Sequence, residues 1–89
     1  MKAVLTVVGS DSVGILAEVA LTCAKLEINI EEVTQSILAG TFAMIMVVEI
    51  DQIAVEFTSF VDAMTKLGKE NGLVIHTMHE DVFNVMHHI

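Results

Sequence analysis

The segment that decides the fold is Val7–Val19, with the sequence VVGSDSVGILAEV. An apolar, β-branched run ends at Gly9, and the next three residues are Ser, Asp and Ser, which favour a turn followed by a helix N-cap. We expect Asp11 or Ser12 to be that cap. Apolar residues then recur at three- and four-residue steps, which predicts an amphipathic helix of about three and a half turns starting near Val13.

On either side of this segment, changes in the spacing of apolar residues divide the chain into predicted strands and helices. They predict strands at 3–8, 30–38, 41–50 and 73–79, and helices at about 53–71 and 80–88. The first hairpin strand departs from strict alternation, which predicts a bulge or a late strand start near Glu31–Glu32. Its partner strand is apolar on both faces, as a central strand is. Gly72 stands where a residue that ends a helix belongs.

This order predicts an α+β fold, a ferredoxin-like βαββαβ sandwich in one domain spanning 1–89. Its four-stranded antiparallel sheet has the order 4-1-3-2, with both crossover helices on one face, and a short C-terminal helix follows. Apolar residues also fall on or near the other face: Val4, Val8, Ile45, Val47 and Met78. A second subunit or the tail helix must therefore cover that face. The edge strands, two and four, can also join across a two-fold axis.

Charge and composition exclude several function classes. Four Lys and no Arg stand against twelve acidic residues, a formal net charge of −8 at pH 7. Phosphate backbones are repelled by such a chain, so no direct nucleic-acid partner is expected. No apolar run approaches the roughly 20 residues of a spanning helix, so no membrane partner is expected either. A hydrophobic content of 54% favours self-association as a homodimer.

The nucleophilic, ionisable and metal-ligating residues form no pattern typical of an enzyme. No phosphate-binding loop, nucleophile triad or metal motif is present, so we expect no enzyme, no cofactor and no metal. His76 and His79 are three apart on a strand and face opposite ways. The histidines beside many carboxylates suggest a pH-sensitive interface instead. Cys23 lies on an apolar helix stripe and is interpreted as a core thiol in a cytoplasmic protein.

The Val7–Val19 segment resembles the first strand, turn and helix of an ACT domain. Residues 29–30, 34–38 and 42–44 resemble the hairpin of single-domain ACT proteins related to the glycine cleavage system transcriptional repressor. The ending, residues 80–89, also resembles the tail of that free-standing subgroup. The resemblance covers essentially the whole chain.

The resemblance implies a regulatory module that binds a small ligand, usually an amino acid, at a dimer interface made from the first turn and the neighbouring subunit's strand. It does not imply catalysis. By position, it implies the ligand-facing residues Gly9, Asp11, Ser12, Val13, Gly14, Asn29 and Ile30, with Ser10 a weaker member. Relatives often carry a basic residue where Ser12 stands. Its absence means that carboxylate recognition must rely on backbone amides, which a helix N-terminus provides.

Other interpretations of these residues stay open. Asp11 or Ser12 would simply cap the helix, and Gly14 would simply allow close packing. Asn29 would satisfy the last carbonyls of the first helix or adopt a left-handed conformation, its common use after a helix. The alternative function is a ligand-free dimeric interaction module, whose acidic surface docks a basic protein partner.

Overall fold

The protein is described from a computed structural model, which covers residues 1–10, 14–51 and 55–86, without the side chain of Leu38. The elements are β1 (Lys2–Ser10), α1 (Ile15–Lys25), β2 (Asn29–Leu38), β3 (Thr41–Glu49), α2 (Phe57–Glu70), β4 (Leu73–His79) and α3 (Glu80–Met86). The strands form one antiparallel sheet in the order β2-β3-β1-β4. The predicted βαββαβ plan and strand order 4-1-3-2 are confirmed.

The core lies between one sheet face and helices α1 and α2. Alternate residues of the central strands point into it, because successive side chains of a strand face opposite ways. The strands contribute Ala3, Leu5, Val7, Phe42, Met44, Met46, Val48, Leu73 and Ile75, and the helices contribute Ile15, Val19, Cys23, Phe60 and Met64. Cys23 is fully buried, as predicted, and burial raises the pKa of its thiol to about 11.

Both crossover helices begin later than their apolar patterns predict. The N-cap position of α1 is Gly14, whereas Asp11 and Ser12, the predicted caps, lie outside the described residues. Gly14 is left-handed (φ 85°), a conformation that glycine adopts without strain. Before α2, the Val55 amide donates to the Asp51 carbonyl, 2.9 Å away. Regular helix starts at Phe57.

The end of α1 is a backbone cap that does not use Asn29. The Ile28 amide donates to the Cys23 carbonyl at 2.8 Å, and the Glu27 amide donates to the Ala24 carbonyl at 3.0 Å. Glu27 adopts the left-handed conformation (φ 58°), so the expectation that Asn29 caps the helix is wrong. Asn29 is instead the first residue of β2.

The hairpin of β2 and β3 follows the prediction closely. Its two turn residues, Ala39 and Gly40, have φ values of 53° and 79°, the signs required by the two-residue turn that matches strand twist. The pairing register shifts between Ile30 and Glu32, which confirms the bulge near Glu31. β3 pairs with both β1 and β2 and is central, as its apolar composition predicts.

The sheet face turned away from α1 and α2 is called the open face below. Val4 lies on it, opposite Val47 and Met78, and is nevertheless only 2% exposed. It is absent from the cluster between sheet and helices. Helix α3 contacts β1 and β4, so it is the element that covers Val4. The tail helix thus covers part of the open face, which is one of the two coverings, with a second subunit, that the sequence leaves open.

Helix α2 approaches β4 unusually closely at Gly68. A Cβ at this position would lie 2.8 Å from the carbonyl oxygen of Leu73 and 3.1 Å from Cγ1 of Ile75. Gly72, which follows the helix, has φ 67° and stands where it is predicted to end the helix. No helix among the described residues is long and apolar enough to cross a membrane.

Candidate functional site

The first part of the candidate site lies where β1 leads into α1. Gly9 and Ser10 are the last two residues of β1, and Gly14 is the N-cap of α1. Asp11, Ser12 and Val13 lie outside the described residues. β1 and α1 therefore bring Gly9, Ser10 and Gly14 to the same end of the sheet.

The two glycines are needed for different reasons. A Cβ on Gly9 would collide with the side chain of Leu73, the first residue of the neighbouring strand β4. At Gly14 no described atom lies within 4 Å of the Cβ position, but φ is 85°. Close packing thus explains Gly9 and not Gly14, where the space beside the backbone is open. Gly14 is exposed, and its carbonyl accepts the Glu18 amide at 3.0 Å.

The start of α1 has the general chemistry of a helix N-terminus. The first N–H groups of a helix have no partner within the helix. They combine with the positive end of the helix dipole to favour an anion such as a carboxylate. No acidic residue precedes Glu18 in the described part of α1. The site is therefore suited to a carboxylate without a basic side chain.

The second part of the candidate site, Asn29 and Ile30, lies at the opposite end of the sheet. Asn29 pairs with Glu49, which also pairs with Lys2, the first residue of β1. Seven strand steps separate the levels of Lys2 and Gly9, about 23 Å at the usual strand rise. One copy of the chain therefore does not bring the two parts together. Asn29 is exposed and Ile30 is half-buried against the core.

The four lysines give no cation to the first turn. Lys2 lies at the Asn29 end, with its Nζ 3.2 Å from Oε2 of Glu31. The hydrogen bond and charge of Glu31 raise the pKa of Lys2. Lys25 is in the last turn of α1, and Lys66 and Lys69 are in α2. Carboxylate recognition at the β1–α1 turn would thus depend on backbone amides.

A groove with a volume of about 360 Å³ lies between α1 and α2. No sequence pattern predicts it. Its lining is Glu18, Leu21, Thr22, Leu67, Glu70 and Asn71. The Thr22 hydroxyl donates to the Glu18 carbonyl at 3.0 Å, and the Asn71 amide donates to the Leu67 carbonyl at 2.8 Å. These polar groups are engaged within their own helices, so the groove presents mainly two carboxylates over apolar carbon. The 56% exposure of Leu21 is explained by its position on this groove.

The histidines of β4 do not converge. His76 pairs with Thr6 on the open face, and His79 pairs with Ala3 on the other face, as their spacing predicts. Nδ1 of His79 accepts the Asp81 amide at 3.0 Å and lies 3.6 Å from Oδ2 of that residue. Among residues 1–10, 14–51 and 55–86, no three His, Cys, Asp or Glu side chains are grouped as a metal site requires.

Comparison with protein families places this geometry in context. The family model described as ACT domain matches residues 2–78. A UPF0237 protein from Listeria innocua is 46% identical over 87 residues, which cover 98% of each chain.

Solved structures give the same result. The chain matches an ACT domain protein from Streptococcus pneumoniae with a TM-score of 0.82 and 34% identity, over 93% of each chain. It matches a putative glycine cleavage system transcriptional repressor with a TM-score of 0.77 and 22% identity, over 89% of this chain and 47% of that one. The second match, at that identity, concerns the fold alone.

Proposed function

Because the chain belongs to the ACT domain family, we propose that it is a homodimeric regulatory module whose ligand is a free amino acid. ACT domains are small-molecule-binding regulatory domains, often sensors of amino acids. The finer role proposed for this chain is a cytoplasmic sensor that alters its contacts with a protein partner when the ligand binds. A free, buried Cys23 suits that reducing compartment.

The observation that supports a shared site is the separation of its two parts along the sheet. Gly14 and Asn29 cannot contact one small ligand within a single copy, because about 23 Å separates their ends of the sheet. β2 is an edge strand, and its described side chains from Glu31 to Ile37 are exposed. An edge strand carries unpaired N–H and C=O groups that are able to pair with a second chain.

Antiparallel pairing of two β2 strands across a two-fold axis would bring the two parts together. In that arrangement the start of one β2 lies beside the end of the other. The end of β2 is level with Thr41 of β3 and Ser10 of β1, next to the β1–α1 turn. Asn29 of the second copy would then approach the turn that holds Gly14. Each dimer would have two such sites.

The chemistry of these groups matches an amino acid. The amides at the start of α1 would hold the α-carboxylate, and the open space beside Gly14 would let it approach the backbone. Asp11 is our proposed acceptor for the α-ammonium group, and the Asn29 amide would bind from the other subunit. Ser12 and Val13 complete the turn, and Ile30 gives apolar support. All these roles are binding roles, and none moves a proton or forms a covalent bond.

The test is thermal unfolding of the purified protein with each of the twenty amino acids at millimolar concentration. We expect one amino acid, or a chemically related group, to raise the melting temperature by several degrees, since a ligand at about a hundredfold its Kd adds about 2.7 kcal/mol. Asn29→Ala should remove most of the shift. Gln35→Ala is the matched control, because Gln35 is an exposed amide in the middle of the same strand.

A ligand-free dimeric interaction module is the second candidate, and the lack of any lysine near the first turn favours it. On that interpretation the same dimer forms, no amino acid shifts the unfolding temperature, and Asn29→Ala changes nothing in the screen. The acidic surface, with a net charge of −8, would then dock a basic protein partner.

A further inference from the structure

The groove between α1 and α2 presents apolar carbon to water. Leu67 supplies its half-buried part, because this side chain also packs against the core. Leu21 lies on the facing helix with 56% of its surface exposed. Among the large apolar side chains of α1 and α2, Leu21 alone is so exposed. The groove therefore has an apolar surface that no described part of the chain covers.

Two carboxylates stand beside this apolar surface. Glu18 lies in the first turn of α1, and Glu70 is the last residue of α2. Both are exposed, and both line the groove. Within residues 1–10, 14–51 and 55–86, neither carboxylate forms an ion pair. A cation placed between two such charges is attracted by both.

The lysines of the two helices lie outside the groove lining. Lys25 is one turn beyond Leu21 along α1, and Lys66 is one turn before Glu70 along α2. Lys69 precedes Glu70 by one residue, which places it about 100° around the helix axis. The lining itself has two carboxylates and no cationic side chain. In a chain with a net charge of −8, the groove is thus a place where apolar carbon and negative charge meet.

The walls of the groove favour a helix as its occupant. The backbone groups of α1 and α2 are paired within their own helices, so they offer no edge to an extended peptide. The Thr22 hydroxyl and the Asn71 amide are also engaged within their helices, at 3.0 Å and 2.8 Å. Few directional hydrogen bonds remain for a small polar ligand. Apolar grooves between helices suit the apolar face of an amphipathic helix, whose anchors recur every three or four residues.

We propose that the α1–α2 groove docks a cationic amphipathic helix of a partner protein. Its apolar side chains would cover Leu21 and Leu67, and its Lys or Arg side chains would lie between Glu18 and Glu70. A second copy fits less well, because its own groove carries the same two carboxylates. The inference rests on the proposed function, since it gives the place and the chemistry of the contact that the regulatory module makes with its partner.

The groove also begins close to the proposed ligand site. The Glu18 amide donates to the Gly14 carbonyl at 3.0 Å, so Glu18 is one helical turn from the β1–α1 turn. A partner helix on the groove would therefore contact the same helix whose start holds the ligand in the proposed function.

Three labelled peptides of about 18 residues are the probes. The basic peptide has Leu along one helix face and Lys on both sides of that face. In the acidic peptide Glu replaces each Lys, and in the polar peptide Gln replaces each Leu. Fluorescence anisotropy measures the Kd of each peptide for the full chain. The basic peptide should bind with a micromolar Kd, and the other two should bind at least about tenfold more weakly.

Variants of the groove test where the basic peptide binds. Leu21→Ser should raise its Kd about tenfold, and so should Glu18→Gln combined with Glu70→Gln, since each exposed ion pair is worth up to about fivefold. Val74→Ser is the apolar control, because Val74 is 56% exposed like Leu21 but lies on β4. Asp62→Asn is the charge control, because Asp62 is exposed on α2 more than one turn before the lining. Both controls should bind the peptide as the wild type does.

Several results would overturn the inference. The basic peptide could bind no more tightly than the acidic or the polar peptide, or groove variants could bind it as the wild type does. The two controls could weaken binding as much as the groove variants, which would mean that binding follows net charge or general apolar exposure. A Leu21→Ser protein with half the molar mass of the wild type would show that a second copy occupies the groove. The proposed amino-acid binding fails separately, since the unfolding screen and Asn29→Ala judge it without any peptide.

Discussion

Gly68→Ala gives a test in which two physical effects have opposite signs. In an exposed helix interior the change from Gly to Ala stabilises a protein by about 1 kcal/mol. At Gly68 the new Cβ would lie 2.8 Å from the carbonyl oxygen of Leu73, where an ordinary contact is at least 3.4 Å. The oxygen belongs to the backbone of a strand paired to β1, so it cannot turn away as a side chain would. Helix α2 and β4 would have to separate by about half an ångström.

Such overpacking typically costs about 1–3 kcal/mol, which exceeds the gain in helix propensity. Taking a cost of about 2 kcal/mol, the middle of that range, against the gain of about 1 kcal/mol, we expect a net loss of about 1 kcal/mol in the free energy of unfolding, or a melting temperature lower by about 4–8 °C for a domain of this size. Urea titration at 25 °C measures it. Lys66→Gly and Lys66→Ala calibrate the propensity difference at an exposed site of the same helix. A Gly68→Ala protein that is as stable as the wild type, or more stable, would refute the close approach.

Two further predictions concern α1. Burial raises the pKa of the Cys23 thiol from its ordinary value of 9.0 to about 11, so above pH 9 the unfolded chain loses a proton that the folded chain keeps. Stability should therefore be unaffected by this group below pH 8 and fall by about 2–3 kcal/mol between pH 9 and 11; urea titrations of Cys23→Ala should lack that part of the slope. Glu27→Gly should raise the free energy of unfolding by up to about 1 kcal/mol, because Glu27 is exposed and left-handed (φ 58°) and glycine adopts that conformation without strain. Thermal unfolding checks this, and a decrease would mean that the Glu27 side chain contributes more than its backbone conformation costs.

Most of the fold was predictable because its apolar periods are strong. β3 alternates buried residues on one face with further apolar residues on the other, and this composition placed it at the centre of the sheet. The broken alternation at Glu31 predicted the bulge, and Gly72 predicted the end of α2. Each of these signals depends on local chain geometry, which a sequence pattern reports directly.

Details that depend on backbone hydrogen bonding were not predictable from side-chain types. Polar residues at Asp11 and Ser12 favour an N-cap at one of these positions, but the N-cap position of α1 is the left-handed Gly14, farther along the chain. Asn29 is the better left-handed residue by preference, yet amides of Glu27 and Ile28 already satisfy the carbonyls at the end of α1. The spacing of apolar residues carries no information about how the backbone begins or ends α1.

The separation of the two parts of the candidate site was not predictable from the sequence either. The family resemblance groups Gly14 with Asn29, and only the sheet register shows that they lie at opposite ends of the sheet in one copy of the chain. Neither the hydrophobic pattern nor the motif spacing contains that distance. It follows from strand direction, because β1 and β2 run parallel with β3 between them.

The distance between the two ends of the sheet also ties the response of the proposed sensor to its abundance in the cell. If each site needs residues from two copies, a dilute monomer has only half-sites, and its apparent affinity for the ligand rises with protein concentration. By the same linkage the ligand strengthens the dimer by the factor through which dimerisation strengthens ligand binding. A cell could then set the threshold of the response through the expression level of this one short chain, with no change in the site itself.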